Sequence, residues 1–251
     1  MSIGRSVALV ALAVLAFGAM PGRASAQRLG ADMPMMKSHI MTYVGFDELE
    51  IQATGDEHAL EYDGEAWIGG DFNRLWFKAA GEQSTEGSDG NVELQGLYSR
   101  AITPFWNVQT GLRLDHRYGE GPGSTRAHAA LGLEGLAPYW FEMEAFVYLS
   151  DDGDASARLE ASYETLLTQR LIIESEFETN LAFQDAPEFG LASGFNDVEL
   201  GARMRYEFVR EFAPYVGYSW SRLVGGTADL VREGGGELGG GVLVFGFHLW
   251  Y

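Results

Sequence analysis

The sequence contains no cysteine, which excludes disulfide frameworks, thiolate zinc sites and cysteine nucleophiles. Basic residues are also scarce, since 17 lysines and arginines stand against 36 acidic residues and give a formal net charge of −19. Nucleic acid would be repelled by such a chain, so the composition predicts no nucleic-acid partner. Proline is rare, with 7 residues, whereas 33 glycines and 13% aromatic residues are typical of an all-β protein with many turns.

Long apolar runs are confined to the N-terminus, where residues 7–20 form an apolar stretch after Arg5. A Pro-Gly pair and then an Ala-Ser-Ala sequence follow it, as in a secretory signal with a small-residue cleavage site. We expect residues 1–26 to be removed, with an uncleaved anchor as the alternative. Two arginines leave with this segment, which takes the formal charge of the mature chain to −21. No later stretch approaches the 18 apolar residues of a transmembrane helix.

The mature chain repeats segments in which apolar and polar residues alternate. In the last segment the apolar positions are Leu243, Phe245, Phe247, Leu249 and Tyr251. Alternation with a period of two predicts strands with one apolar and one polar face. Twelve such segments are centred near Val44, Ala66, Phe77, Leu94, Thr110, Leu131, Ala145, Leu159, Phe177, Ala202, Gly217 and Phe245.

The connections between these segments alternate between two kinds. Short turns carry proline and aromatic residues, as at 103–106, and longer links are acidic or glycine-rich, as at 224–241. This pattern predicts a transmembrane antiparallel up-and-down β-barrel of about 12 strands in the outer membrane of a Gram-negative bacterium. A secreted β-sandwich or lipocalin-like barrel is the soluble alternative. The chain then divides into the signal peptide, a short disordered Met/His-containing periplasmic segment at 27–39, and the barrel at 40–251.

The strand count depends on the first segment. Its alternation changes phase between Phe46 and Leu49, which predicts a β-bulge at Asp47 and Glu48. Ten strands is the alternative count.

If the apolar faces contact lipid, the polar faces line the lumen. The acidic residues on these faces are Glu61, Asp63, Glu65, Glu93, Asp115, Glu134, Glu142, Glu144, Glu160, Glu164, Glu174, Glu176, Glu178, Glu199 and Glu207. The basic residues are Arg74, Lys78, Arg113, Arg158, Arg203 and Arg205. We expect most of these charges to pair across strands, since buried charges need partners. The surplus carboxylates would attract cations.

No catalytic motif is recognisable, and we predict that the protein is not an enzyme. The sequence has no nucleophile-elbow motif, and its histidines are never spaced as HxH or HExxH. Scattered single histidines are more typical of loop or girdle positions than of a zinc site. They are His39, His58, His116, His128 and His248.

The most distinctive segment precedes the first strand. Four of the six methionines of the mature chain lie within nine residues, together with a histidine. Thioethers suit Cu(I), and imidazole also suits Cu(II). The predicted metal ligands are therefore Met33, Met35, Met36, His39 and Met41, and the alternative is a flexible linker with incidental methionines.

Several long blocks in the same order resemble the copper-resistance protein B family of bacterial outer membranes. They are TYVGFDELE (42–50), EAWIGGDFNRLW (65–76), LYSRA (97–101), GLAPYWFE (135–142), LLTQRL (166–171) and REFAPYVG (210–217). The resemblance covers the chain from about Ser38 to Tyr251.

The resemblance implies an outer-membrane barrel that binds copper ions, lowers periplasmic copper and works beside a periplasmic multicopper oxidase. Members of the family often carry a long Met/His/Asp-rich N-terminal region, whereas this chain has only residues 32–41. Because this segment is short, we expect copper to be handled by the barrel or by a weak capture site rather than by a high-capacity store. A general small-solute porin with an acidic lumen is the alternative function, and a hydrolase active at the rim is a more distant one.

Overall fold

The computed structural model describes residues 39–54, 57–85, 87, 89–119, 123–186 and 189–251. In these residues the chain forms one helix, α1 (Gly225–Glu233), and a 3-10 turn at Pro138–Trp140. None of the described helices is long and apolar enough to cross a membrane. The strands are β1 (Met41–Thr54), β2 (Glu57–Gly69), β3 (Asn73–Ser84), β4 (Gly90–Ala101), β5 (Trp106–Tyr118), β6 (Ser124–Ala137), β7 (Phe141–Ser150), β8 (Ala155–Leu166), β9 (Leu171–Ala182), β10 (Gly194–Phe195), β11 (Asp197–Tyr206), β12 (Phe212–Leu223) and β13 (Gly239–Trp250).

Twelve of these strands close into an antiparallel barrel. Neighbours along the chain pair with each other, β9 pairs with β11, and β13 returns to β1. The two-residue strand β10 pairs only with the end of β9. Each of the twelve predicted segment centres lies on one barrel strand. The predicted fold and the count of twelve are confirmed, and the soluble sandwich and the ten-stranded barrel are wrong.

The two faces of each strand follow the predicted alternation. In β13, Phe245 is 52% exposed on the outside, whereas Val244 points into the barrel and is fully buried. Among the described residues, exposed large apolar side chains lie on every strand of the barrel except β2 and β9, and they include Leu112, Leu131 and Leu243. In an outer-membrane barrel this face contacts lipid, which explains why so much apolar surface is left uncovered by protein.

The phase change in β1 is a β-bulge, as predicted. On the β2 side the partner of Phe46 is Gly64 and the partner of Glu48 is Asp63. Two residue steps in β1 therefore face one step in β2, and Asp47 is the extra residue. The same irregularity appears on the β13 side, between Phe46 and Glu50.

The two ends of the barrel differ. One end, which we call the short-turn end, carries the start of β1, the end of β13 and the links β2–β3, β4–β5, β6–β7, β8–β9 and β11–β12. The other, the long-loop end, holds the link between β9 and β11 and helix α1. The helix was not predicted in this glycine-rich link. It packs there through buried Thr227 and Ala228, and the Thr227 hydroxyl accepts a hydrogen bond from the amide of Ala192.

An apolar cluster lies inside the barrel, on the wall formed by β3 to β7. Its members are Trp76, Leu97, Ala130, Phe146 and Tyr148, with Trp67 packed against them. The cluster fills one side of the lumen, although the inward faces were expected to be polar.

Candidate cation-binding lumen

A cavity of about 980 Å³ occupies the lumen beside the apolar cluster. Its basic residues are Lys78, Arg158, Arg203 and Arg205. Its sixteen carboxylates are Asp47, Glu48, Glu61, Asp63, Glu65, Glu82, Glu93, Glu134, Glu142, Glu144, Glu160, Glu164, Glu174, Glu176, Glu178 and Glu199. Sixteen acids cannot be neutralised by four bases, so the cavity is a strongly acidic compartment that favours cations over anions.

Thirteen of the fifteen predicted lumen carboxylates line this cavity, and two do not. Asp115 lies on the β5 wall, where it pairs with Arg113 at 2.6 Å and with His128 at 3.2 Å. Glu207 follows the last residue of β11 and belongs to a short turn, where its amide bonds to the carbonyl of Arg170. The predicted strand therefore extended one residue beyond the end of β11.

Sequence reasoning missed several cavity residues. The bulge returns the second half of β1 to the inward phase, which brings Glu48 into the cavity and Glu50 into the wall beside it. His248 also lines the cavity, and its Nδ1 lies 3.6 Å from Oδ1 of Asp47. His248 could have been predicted from the sequence, because it lies four residues after the inward Val244 on β13 and so points to the same face.

A compact carboxylate cluster lies where β1 and β2 meet. One oxygen each of Glu48, Glu50 and Glu61 lies within 4.8 Å of the others. The guanidinium of Arg203 contacts two of them, with 2.7 Å to Glu48 and 3.0 Å to Glu50, and Tyr215 donates to Glu50 at 2.8 Å. Oxygen donors of this kind suit hard divalent cations better than Cu(I). The arginine already supplies one positive charge to the cluster.

Five further glutamates form one continuous row across neighbouring strands. Glu134 pairs in register with Glu144, which pairs with Glu160, and Glu178 and Glu199 continue the row. Directly opposite residues place their Cβ atoms about 4.5–5.5 Å apart. Like charges at this spacing destabilise a sheet, so this row, which we call the glutamate row, needs positive charge to balance it.

The glutamate row runs from one end of the barrel to the other. Glu134 lies three residues before the end of β6, next to a short turn. Glu199 lies two residues after the start of β11, next to the long loops. Because barrel strands are tilted, a row that follows the hydrogen bonds rises along the axis. The five carboxylates therefore form a continuous acidic track through the lumen.

Among the described residues two cations contact the glutamate row, and only Lys78 reaches it from across the barrel. Lys78 on β3 lies 2.5 Å from Oε1 of Glu144 on β7. Arg158 on β8 lies 3.6 Å from Glu160 and 3.4 Å from Glu178. The remaining side-chain hydrogen bonds that the structure describes come from neutral groups. Gln109 donates to Glu134, Asn180 donates to Glu178 at 2.8 Å, and Ser219 donates to Glu199 at 2.8 Å.

The predicted copper ligands fall largely before the described part of the chain. Met33, Met35 and Met36 lie outside the described residues. His39 is exposed just before β1, and Met41 is the first residue of that strand and is 40% exposed. Both lie at the short-turn end, where β1 begins. His39 and Met41 are therefore close in sequence to the bulge residue Asp47 on β1, which lies next to His248.

Comparison with known proteins identifies relatives over almost the whole barrel. The family model described as copper resistance protein B precursor (CopB) matches residues 40–251. Copper resistance protein B of Escherichia coli is 40% identical over 214 residues, which cover 85% of this chain and 71% of the relative. A copper resistance protein B homolog of Pseudomonas syringae pv. tomato shows the same identity and the same coverage of both chains.

Solved structures confirm the architecture. The NanC porin has a TM-score of 0.52 at 13% identity, and the match covers 83% of this chain and 98% of that chain. Escherichia coli outer membrane phospholipase A has a TM-score of 0.50 at 12% identity, with 83% and 91% covered. At such identities the matches establish an outer-membrane barrel fold and nothing about activity.

Proposed function

Because the chain belongs to the copper resistance protein B family, we propose that it resides in the outer membrane, binds copper ions and helps to sequester or export periplasmic copper. The observation that carries the transport part of this proposal is the acidic cavity, in which sixteen carboxylates surround four basic side chains. A lumen of this charge concentrates cations and excludes anions.

The capture step is assigned to Met33, Met35, Met36, His39 and Met41. Thioether and imidazole donors bind copper in a compartment where this chain offers no thiolate. In outer-membrane barrels the short turns face the periplasm, so a segment that enters at the short-turn end would sample periplasmic copper. The copper would then pass to the oxygen donors of the lumen. His248 and Asp47 would supply one nitrogen and one oxygen ligand at the start of this path.

The proposed role is not catalytic. The family name denotes copper resistance, and the porin-type fold is shared with the NanC porin. The match to a phospholipase shows that the same fold also serves enzymes, so the assignment depends on the acidic lumen rather than on the fold. A periplasmic multicopper oxidase is the proposed partner, because it would act on copper at the compartment that the short turns face.

The general porin is less well supported than a cation path. Lys78 and Arg158 cross the lumen to reach Glu144 and Glu93, and the apolar cluster fills the space behind them. Neutral solutes of appreciable size would have to disrupt both features. Small cations need only exchange with charges that are already present.

Copper tolerance in cells tests the capture step with a matched pair of variants. Replacing Met35 and Met36 by leucine should lower the copper concentration that cells tolerate, because two soft donors are lost. The control replaces Met204, which is 44% exposed and does not line the cavity, by leucine and should leave tolerance unchanged. Equal tolerance in both variants and in the wild type would refute capture by this segment.

A further inference from the structure

We propose that Lys78 controls cation passage through the lumen, because its ammonium group occupies the glutamate row as a covalently attached counter-cation. The Nζ atom donates to both carboxylate oxygens of Glu144, at 2.5 and 2.6 Å. This inference rests on the cation path proposed above and names the residue that sets its conductance.

Lys78 reaches the row from a distant strand. It lies on β3, whereas Glu144 lies on β7, and β4, β5 and β6 separate the two strands in the sheet. The contact therefore crosses the lumen rather than running along its wall. On the other side, Nζ lies 5.9 Å from the ring centroid of Trp76 and 6.0 Å from that of Phe146. The aromatic faces stabilise the ammonium in this position.

The position of the contact makes it the point of control. Glu144 is the second carboxylate of the glutamate row from the short-turn end. A cation that follows the row from Glu134 must displace the ammonium before it reaches Glu160. Charge repulsion between the two cations is strong where the surroundings have a low dielectric constant. The lumen is thus attractive to cations as a whole and closed to them at one step.

Arg158 is less suited to this role. Its two terminal nitrogens bind the carboxylate of Glu93 at 3.0 and 3.1 Å, and Nε donates to Asn180 at 3.1 Å. A planar guanidinium held at several partners is fixed in place, whereas an ammonium on a flexible four-carbon stem moves readily. Of the two cations on the row, Lys78 is the one that exchanges.

The absence of cysteine provides a direct test. In Lys78→Cys the new thiol is the only one in the protein, so a methanethiosulfonate reagent labels that position alone. We expect the mature Lys78→Cys chain in planar bilayers with a KCl gradient to conduct about tenfold more than the wild type, with a reversal potential near that of K⁺. Labelling with the aminoethyl reagent should restore the low conductance, because it returns an ammonium of similar length. The neutral methyl reagent should leave the conductance high.

Folding does not confound this comparison, because both labels are added to the same folded barrel. Arg126→Gln is the matched control, since it removes one positive charge from β6, where Arg126 pairs with Asp154 and neither residue lines the cavity. Its conductance should equal that of the wild type. The inference is overturned if Lys78→Cys conducts no more than the wild type, if the two labels act alike, or if Arg126→Gln opens the barrel equally.

The copper function fails separately from this inference. If labelling changes the conductance but deletion of the whole protein leaves copper tolerance unchanged, the role of Lys78 is supported and the copper function is refuted. If deletion of the protein makes cells sensitive to copper while Lys78→Cys conducts no more than the wild type, the copper function is supported and the role of Lys78 is refuted.

Discussion

Arg158 on β8 and Glu93 on β4 are joined across the lumen by two parallel hydrogen bonds of 3.0 and 3.1 Å. Three strands, β5, β6 and β7, separate them in the sheet, so the pair connects walls that have no backbone contact. Arg113 also contacts Glu93, at 2.7 Å. The barrel is therefore stabilised through its interior as well as around its circumference.

Removing the cross-lumen arginine should destabilise the barrel. Arg158→Ala leaves buried carboxylates without their main partner, and breaking a buried pair costs about 3 kcal/mol of unfolding free energy. Urea unfolding of the protein in lipid vesicles measures this change. The control is Arg232→Ala in α1, where the partner Asp229 is 69% exposed, and its effect should stay within about 0.5 kcal/mol. Equal effects would show that the cross-lumen pair adds nothing.

The bulge residue should be dispensable for folding. Deleting Asp47 removes the one extra residue in β1, so the registers with β2 and β13 become regular and no side chain changes face. Deleting Leu112 from the regular strand β5 instead turns part of that strand over. We expect the first deletion to fold and the second to fail, as measured by heat-modifiable electrophoretic migration. A folded Leu112 deletion would contradict this reasoning.

The interior apolar cluster should contribute more than the lipid-facing band. Leu97 is 2% exposed, and Leu97→Ala should cost about 2–4 kcal/mol of unfolding free energy because a cavity remains. Leu112 is 65% exposed on the lipid face, and lipid chains refill the space when it is shortened. Leu112→Ala should therefore cost clearly less in the same urea titration. A reversal of this order would place the cluster outside the stable core.

The imidazole at the short-turn end should mark copper that enters the barrel. His248 lines the cavity next to Asp47, whereas His58 is exposed near the long-loop end of β2. With Met35, Met36 and His39 replaced to remove the capture segment, His248→Ala should reduce nitrogen coupling in the electron paramagnetic resonance spectrum of added Cu(II). His58→Ala should not change it. An unchanged spectrum in His248→Ala would exclude this imidazole as a copper ligand.

The sequence by itself determined the barrel and its faces. A period of two is a local property, so the outward Phe245 and the inward Val244 follow from their neighbours alone. The phase change after Phe46 located the bulge for the same reason. The lumen carboxylates followed from the inward phase in the same way. Asp115 keeps this phase but lies outside the cavity, whose extent face assignment does not measure, and Glu207 follows the last residue of β11.

Only the tertiary structure decided which inward residues meet. Lys78 and Glu144 are 66 residues apart, and their contact depends on how twelve strands close into a ring. The glutamate row likewise depends on register between strands, which pattern within one strand does not specify. The pattern did not identify Phe146 as part of an interior apolar cluster, because its partners lie on other strands that only barrel closure brings together. The cluster is formed by residues of β3, β4, β6 and β7. Barrel closure brings together strands that are far apart in the chain. It therefore joins acidic faces that are predictable strand by strand into a continuous path, on which Lys78 is the proposed controlling cation.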